Sequence, residues 1–306
     1  MLAIASSLVT TFQAIVLGVL QGVSELFPIS SLGHTVLLPH LFGWDNIVRW
    51  QSQPESPWLA FIVMLHVGSA IGLLIYFWRT WVQLVKAFFI SLGRMARLRR
   101  WAVETPMERL AWLIVFASIP VGILGITLEH TARVATAKPE IAAIFLVVNG
   151  FILLGAERLR RRAEVRALAR REGMKADGGR RLDTLEYREA AVIGTAQSSA
   201  LIAGISRDGV VMAAGLARGL DNEDAARYGF LLATPIILAA GVYKLPDLTG
   251  SLGKGIRGPA VIAAVAAGIT AIFTVHFLLR YFKRGNLNPF GIYCVVFGAA
   301  MIAYNV

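Results

Sequence analysis

The sequence predicts an all-α, polytopic membrane protein with an inverted-topology repeat, two re-entrant helical hairpins and about six full transmembrane helices. Composition is the first reason: of 306 residues, 56% are hydrophobic and 16% are charged, whereas soluble domains have about 25% charged residues. The second reason is the placement of the basic residues, and the third is a broken apolar segment that occurs twice. Several stretches reach the roughly 20 residues that a helix needs to cross a bilayer.

The first apolar segment is interrupted by a proline. Residues 1–48 contain no lysine or arginine, and the two parts at about 9–26 and 31–43 are each short for a membrane span. Pro28 lies between them and lacks the amide hydrogen that a continuous helix requires. Non-helical backbone at membrane depth is tolerated where protein or a water-filled cavity covers it. This segment therefore predicts a re-entrant hairpin at about 9–43.

Three spans are predicted after each hairpin. In the first repeat, residues 1–157, the spans lie at about 58–78, 110–128 and 141–157, with a basic amphipathic stretch at 79–109. In the second repeat, residues 190–306, a hairpin at about 190–220 precedes spans at about 225–243, 258–280 and 288–305. A basic loop, residues 158–189, is predicted to join the two repeats.

The basic residues of the loops orient the chain. The segments 79–109, 158–188 and 280–284 hold 21 lysines and arginines, and the intervening loops hold six. The positive-inside rule assigns the richer set to the cytoplasm, so both ends of the chain are expected outside. A net charge of +11 would suggest nucleic acid in a soluble protein. Here a solvated cytoplasmic loop explains the charge better than a nucleic-acid-binding arm, so no nucleic-acid partner is expected.

The two broken segments align when the sequence is shifted by 176 positions. The aligned pairs include Gly18 with Gly194, Ser30 with Ser206, and Gly33 with Gly209. Because three spans lie between the copies, the copies enter the membrane from opposite faces. In such inverted repeats the functional site lies between the repeats, near the middle of the bilayer.

The first hairpin gathers polar side chains in an apolar background: Glu25, Ser30, Ser31 and His34. Ionisable groups at membrane depth are costly and indicate a functional site by default. His34 follows Ser31 by three residues, so a turn that begins at Ser31 would place both on one face. That spacing permits a hydroxyl nucleophile and an imidazole that carries its proton.

Two side chains on one helix face, Gln21 and Glu25, precede this turn. The Glu25 carboxylate could hold a divalent cation, balance a buried arginine or orient a base, and the sequence leaves these roles open. Two histidines of the full spans, His66 and His276, are interpreted as packed, hydrogen-bonding residues.

The second hairpin carries one arginine, Arg207, in a segment of small and apolar residues. A guanidinium is a planar fork of donors that suits a phosphate or a carboxylate. Gly204 and Gly209 would let backbone amides approach an anion closely. The alternative for Arg207 is a structural ion pair with Asp208 or Glu25. Asp208 itself is interpreted equally as a second metal ligand or as a group that neutralises Arg207.

These residues resemble the motifs of the bacterial undecaprenyl-diphosphate phosphatases, a family known for bacitracin resistance. The first family motif is Glu/Gln-x-x-x-Glu followed by Phe-Leu-Pro-(Val/Ile)-Ser-Ser-x-Gly-His, and here it reads Gln21-Gly-Val-Ser-Glu25-Leu-Phe-Pro28-Ile-Ser30-Ser31-Leu-Gly33-His34. The second is similar to Pro-Gly-x-Ser-Arg-Ser-x-x-Thr. This chain keeps Gly204, Ser206 and Arg207 there, with Ala203, Asp208 and Val211 in place of the proline, the second serine and the threonine.

The resemblance implies hydrolysis of a C55 polyprenyl diphosphate to the monophosphate, which recycles the lipid carrier for cell-wall synthesis. It implies a multi-pass protein of the bacterial plasma membrane with an active site open to the outer face, and a divalent cation, Mg²⁺ or Ca²⁺. Carried over by motif, the catalytic residues would be Glu25, Ser31, His34 and Arg207. The supporting residues carried over by motif would be Gln21, Ser30 and Ser206. The residues themselves add Gly204 and Gly209 as substrate-binding residues, and Glu25 and Asp208 as metal ligands.

A different class of function shares this architecture. Inverted repeats with broken helices are typical of transporters, and an arginine that faces serines could bind a lipid phosphate for flipping. The Ser31–His34 pair favours the phosphatase, because transport does not require it. A homodimer is left open.

Overall fold

The computed structural model describes residues 9–51, 58–136, 138–170, 182–250 and 255–305. These residues form twelve α-helices and two short 3₁₀ turns, with no strand among them. The helices are α1 (Thr11–Ser24), α2 (Ser31–Leu41), α3 (Asp45–Gln51), α4 (Trp58–Tyr76), α5 (Trp78–Leu98), α6 (Pro106–Thr136), α7 (Pro139–Arg170), α8 (Tyr187–Gln197), α9 (Arg207–Ala217), α10 (Asn222–Thr249), α11 (Arg257–Phe282) and α12 (Asn288–Asn305).

The predicted all-α, polytopic class is confirmed. Within the described residues, five helices are long and apolar enough to cross a membrane: α4, α6, α7, α10 and α11. The sixth predicted span, 288–305, is the apolar helix α12, which is shorter than the other five. Large apolar side chains cover the outside, such as Ile126 at 74% and Phe273 at 71% exposed. Such side chains face the hydrocarbon of a bilayer.

Two predicted loops are partly helical instead. The basic segment 158–189 begins inside α7, which continues to Arg170, and α8 starts at Tyr187. The predicted loop near 129–140 is likewise shortened, because α6 continues to Thr136. All residues of 158–170 except Val165 are alanine, arginine, leucine or glutamate, which are good helix formers. The charged residues therefore predicted the end of the membrane span correctly but not the end of the helix. Residues 171–181 of the loop lie outside the described residues.

Each predicted hairpin is a pair of short helices around a break. With 14 residues, α1 is about 21 Å long, against a hydrocarbon core of about 30 Å. The first break, residues 25–30, separates α1 from α2. The second, with a 3₁₀ turn at Ser198–Leu201, separates α8 from α9. Breaks of this kind leave the first amides of α2 and α9 without partners from their own helix.

Small residues set the directions in which the helices pack. Gly18 and Gly22 of α1 contact Ala263 and Ala267 of α11, and in the same order Gly68 and Gly72 of α4 contact Ala264 and Gly268. Because both residue numbers rise together, α1 and α4 run parallel to α11. In contrast, Gly150 contacts Gly291 and Gly298 contacts Val147, so α7 and α12 are antiparallel. Small residues permit this close approach.

The predicted topology requires these same directions. Helix α8 packs against α6, where Gly194 contacts Ala117. If the two repeats are exchanged, this contact corresponds to the packing of α1 on α11. The division of the chain into the repeats 1–157 and 190–306 stays a prediction. This packing surrounds the two breaks with protein.

Candidate active site

The two breaks use the same local device. Ser30 and Ser206 are the N-caps of α2 and α9, and their hydroxyls each accept a hydrogen bond from the glycine amide three residues later, Gly33 or Gly209, at 3.1 Å. A serine N-cap satisfies one of the free amides at a helix start. Ser30 adopts φ 70° and ψ 98°, a conformation that costs energy for a residue other than glycine. The aligned residues of the two hairpins therefore have the same structural role.

The breaks are joined by one buried amide, Asn149 of α7. Its Nδ2 donates to the carbonyl oxygen of Pro28 at 3.0 Å, and its Oδ1 accepts from the backbone N–H of Ser206 at 2.9 Å. Its side chain is fully buried. Asn149 was not predicted as a functional residue, although an isolated amide in the middle of an apolar span indicates one. Its two hydrogen bonds hold the hairpins in register.

Replacing Asn149 by alanine is expected to lower the free energy of unfolding by about 2–4 kcal/mol, because a buried carbonyl and a buried amide both lose their partner. Unfolding in detergent, followed by tryptophan fluorescence, measures the change. The matched control is Asn288→Ala at the start of α12, where the asparagine side chain is half-buried. Equal stability of the two variants would contradict the role of Asn149 as a bridge.

Glu25 is the centre of the polar network between the hairpins. Its Oε1 accepts from Arg207 Nη2 at 2.6 Å, so the carboxylate of the first hairpin is paired with the guanidinium of the second. Its Oε2 accepts from the Ser31 hydroxyl at 2.6 Å and from the Gln21 amide at 2.9 Å. His66 Nε2 lies 3.3 Å from the same Oε2. Burying these charges is tolerable because each is paired.

A cavity of about 240 Å³ lies beside this network. Glu25, Ser31, His66, Ser206 and Arg207 form part of its wall, and most of the remaining wall is apolar and comes from α4, α6 and α10. Ser31 and Arg207 are the first residues of α2 and α9. The N-terminal ends of both helices, which carry partial positive charge and free amides, therefore adjoin the cavity and suit an anion.

Five predicted site residues support this wall from behind and are not part of it. Gln21 is buried and donates to Glu25. The Ser30 hydroxyl and the Gly209 amide each take part in an N-cap hydrogen bond. Gly204, at φ +102°, packs against Ala142 and Gly33. The Gly209 amide and the space around Gly204 are thus used within the protein, and the expected contact of the two glycines with a bound anion stays a prediction. Asp208, the fifth of these residues, is also buried and lies outside the cavity wall.

Asp208 is buried in the first turn of α9, with Oδ1 3.4 Å from Arg207 Nη2. Among the described residues, neither of its carboxylate oxygens has a hydrogen-bond partner. Of the two interpretations, neutralising Arg207 agrees with this distance. The metal-ligand interpretation lacks a set of ligands: among the described residues, no group of three or more histidine, cysteine, aspartate or glutamate side chains is arranged to hold a metal ion.

His34 points away from the cavity. Its Nδ1 lies 2.7 Å from the Ser30 carbonyl oxygen and its Nε2 lies 2.8 Å from the Tyr293 hydroxyl of α12. The ring also stacks on Tyr293 and Phe297, with centroids 5.7 and 5.4 Å apart. The expected hydrogen bond between Ser31 and His34 is not formed. The side chains of residues three apart on a helix point in directions that differ by about 60°. Ser31 therefore points to Glu25, while His34 points to Tyr293.

His66 was interpreted as a packed residue of its span, and this was wrong in part. Its Nδ1 does bond to the helix, at 2.8 Å from the Ile62 carbonyl oxygen, but its other nitrogen reaches Glu25. Sequence alone gave no sign that α4 would pass beside the first hairpin. The same interpretation of His276 was also wrong in part: its Nδ1 lies 3.3 Å from the Tyr76 hydroxyl, but the residue is exposed and not packed inside.

Comparison with known proteins identifies the relatives of this chain. A family model described as bacitracin resistance protein BacA matches residues 14–300. Undecaprenyl-diphosphatase 2 of Frankia alni is 48% identical across 95% of this chain and 96% of that protein. The undecaprenyl-diphosphatases of Mycolicibacterium paratuberculosis and Mycobacterium avium are each 49% identical with the same coverage. The described helices and these matches make this chain a multi-pass membrane protein, and it belongs to the bacitracin resistance protein BacA family.

Proposed function

We propose that this protein hydrolyses undecaprenyl diphosphate to undecaprenyl phosphate and phosphate, and so returns the lipid carrier to cell-wall synthesis in the bacterial plasma membrane. Relatives that cover nearly the whole chain are named undecaprenyl-diphosphatase. The observation that carries the proposal is the chain of contacts from Arg207 through Glu25 to Ser31, each 2.6 Å long, on the wall of an otherwise largely apolar cavity.

The diphosphate binds by its negative charge. The terminal phosphate lies against the N-terminal ends of α2 and α9 and takes hydrogen bonds from Arg207, whose Nη1 is buried and has no partner among the described residues. The apolar wall, with residues such as Val121 and Ile237, accepts the first isoprene units. Positive groups fixed where the transferring phosphoryl group gathers charge lower the barrier.

The Ser31 hydroxyl supplies the nucleophile or orients the water that attacks the terminal phosphorus. In both routes a new oxygen–phosphorus bond forms, the bond to the bridging oxygen breaks, and undecaprenyl phosphate leaves. When water attacks, the other product is phosphate; when Ser31 attacks, a water molecule then cleaves the phosphoserine, which releases phosphate and restores the hydroxyl. The proton passes to Glu25, which already accepts the Ser31 hydrogen bond. His34 was expected in this role. Its contribution to catalysis stays a prediction, and its contacts with Ser30 and Tyr293 are those of a residue that shapes the hairpin.

The direct test is phosphate release from undecaprenyl diphosphate by the purified protein in detergent. The rival function, flipping of a polyprenyl phosphate, predicts exchange of labelled lipid between the leaflets of a proteoliposome without release of phosphate. The relatives' names and the Ser31–Glu25 hydrogen bond favour hydrolysis. Leaflet exchange without phosphate release would overturn the proposal.

The divalent cation implied by the resemblance does not fit the protein groups alone. Both oxygens of Glu25 already face donors, from Arg207 on one side and from Ser31, Gln21 and His66 on the other. Asp208 lies outside the cavity wall. Mg²⁺ or Ca²⁺ therefore enters no step above, and phosphate release with and without a chelator tests the expectation. The homodimer is likewise a prediction, for cross-linking to test.

The cavity is proposed to open to the outer face. Its wall includes Leu59 and Ile62, near the start of α4, and Ala240, in the second half of α10. Those ends of α4 and α10 adjoin loops with few basic residues, which the positive-inside rule assigns to the outside.

Ala240→Cys is expected to react with a membrane-impermeant maleimide in intact cells. The single native cysteine, Cys294, is buried and provides a low background. Gly93→Cys on α5, in the basic segment assigned to the cytoplasm, is the matched control and should react only after permeabilisation. Labelling of the two sites in the opposite order would contradict the orientation.

A further inference from the structure

His66 belongs to neither hairpin and to neither motif of the resemblance. It lies on α4, and its side chain is 22% exposed, toward the cavity that Glu25, Ser31 and Arg207 also line. It therefore meets the polar network from a third element of the fold. The mechanism above makes no use of it.

The hydrogen bonds of His66 determine which atoms carry protons. Its Nδ1 is 2.8 Å from the Ile62 carbonyl oxygen, which can only accept, so Nδ1 carries a hydrogen. Its Nε2 is 3.3 Å from Glu25 Oε2, an oxygen that also accepts from Ser31 and Gln21. The Glu25 carboxylate, which is paired with Arg207, is also an acceptor, so its contact with His66 is attractive when His66 Nε2 donates a hydrogen bond.

Substrate binding creates a need for a second donor to Glu25. Arg207 is the partner of Glu25 Oε1 at 2.6 Å, and the phosphate competes for the same guanidinium. Glu25, with a side chain only 5% exposed, would then be a buried carboxylate with a weakened partner, which is unfavourable. A donor on the other oxygen, from a helix outside the hairpins, keeps the carboxylate in place. His66 is in that position.

We propose that His66 is a positioning residue for the reaction: it holds the Glu25 carboxylate on the Ser31 hydroxyl while Arg207 turns to the phosphate. The inference rests on the proposed phosphatase function. Because Glu25 aligns the nucleophile, loss of His66 should slow the chemical step. Substrate affinity should not change, because Arg207 binds the phosphate.

The test compares two substitutions of similar length, His66→Gln and His66→Met, of which only glutamine donates a hydrogen bond. We measure kcat and KM for phosphate release by the purified full-length protein. His66→Met is expected to lower kcat by about 10-fold to 100-fold, the effect of one hydrogen bond to a charged group, with KM within about twofold because the phosphate keeps its own donors. His66→Gln is expected to recover most of the loss.

His276→Met is the matched control, because this histidine lies on the exposed face of α11 away from the cavity, and it should leave both constants unchanged. Thermal unfolding in detergent identifies a folding defect. If His66→Met does not fold, His66→Asn and His66→Leu give the same contrast between a donor and an apolar side chain.

The outcomes separate the two proposals. Equal losses in the donor and apolar variants, full activity in both, or a raised KM with unchanged kcat would each overturn the positioning role while the phosphatase function stands. A wild-type protein that releases no phosphate would overturn the proposed function, and this inference with it.

Discussion

Arg207→Ala is expected to reduce phosphate release from undecaprenyl diphosphate by at least about 1,000-fold, the effect that a single arginine has on other phosphoryl transfers. Arg207 is the cation that the second hairpin contributes to the cavity wall, and its side chain is 13% exposed. Its removal takes away the planar donors for the terminal phosphate and also removes the guanidinium with which Glu25 is paired. The measurement is kcat/KM with the purified variant.

Arg207→Lys separates charge from geometry. Lysine keeps the positive charge but not the fork of donors, so we expect this variant to recover a small part of the activity. Arg227→Ala, an exposed arginine of α10 outside the cavity, is the matched control and should retain full activity. Undiminished phosphate release by folded Arg207→Ala would show that the diphosphate is held elsewhere, and the assignment of the site would be wrong.

Ser31→Ala is expected to lower kcat by about 1,000-fold or more, as the loss of a nucleophilic serine does in other hydrolases. The hydroxyl donates to Glu25 at 2.6 Å and has little other packing role, since Ser30 and not Ser31 caps α2. Binding of the lipid should change little, because Arg207 and the helix ends remain. Phosphate release and lipid binding are therefore measured on the same preparation.

Ser118→Ala is a suitable control for this variant, because Ser118 donates to the Ile114 carbonyl within α6 and lies outside the cavity wall. It should keep wild-type kcat. Loss of lipid binding in Ser31→Ala, with kcat preserved at saturation, would mean that Ser31 holds the substrate and does not take part in the chemical step.

The sequence predicted the membrane class and the two hairpins. It also predicted the pairing of Glu25 with Arg207, although only as one of several open alternatives. It also predicted the residues that meet at the breaks, through the alignment of Ser30 with Ser206 and the family motifs. It did not predict the partner of Ser31. A carboxylate six residues earlier accepts its hydroxyl hydrogen, where an imidazole three residues later was expected.

Composition, loop charge and the repeat are sums over many residues, so the sequence by itself determined the class of protein, the order of its apolar spans and the position of the breaks. Which side chains face the cavity was decided only by the tertiary structure. His34 turns to Tyr293 because α12 lies beside α2, and His66 reaches Glu25 because α4 lies beside the first break. The physical reason is that a buried polar group takes the partner that packing brings within hydrogen-bond distance, whatever its distance along the chain.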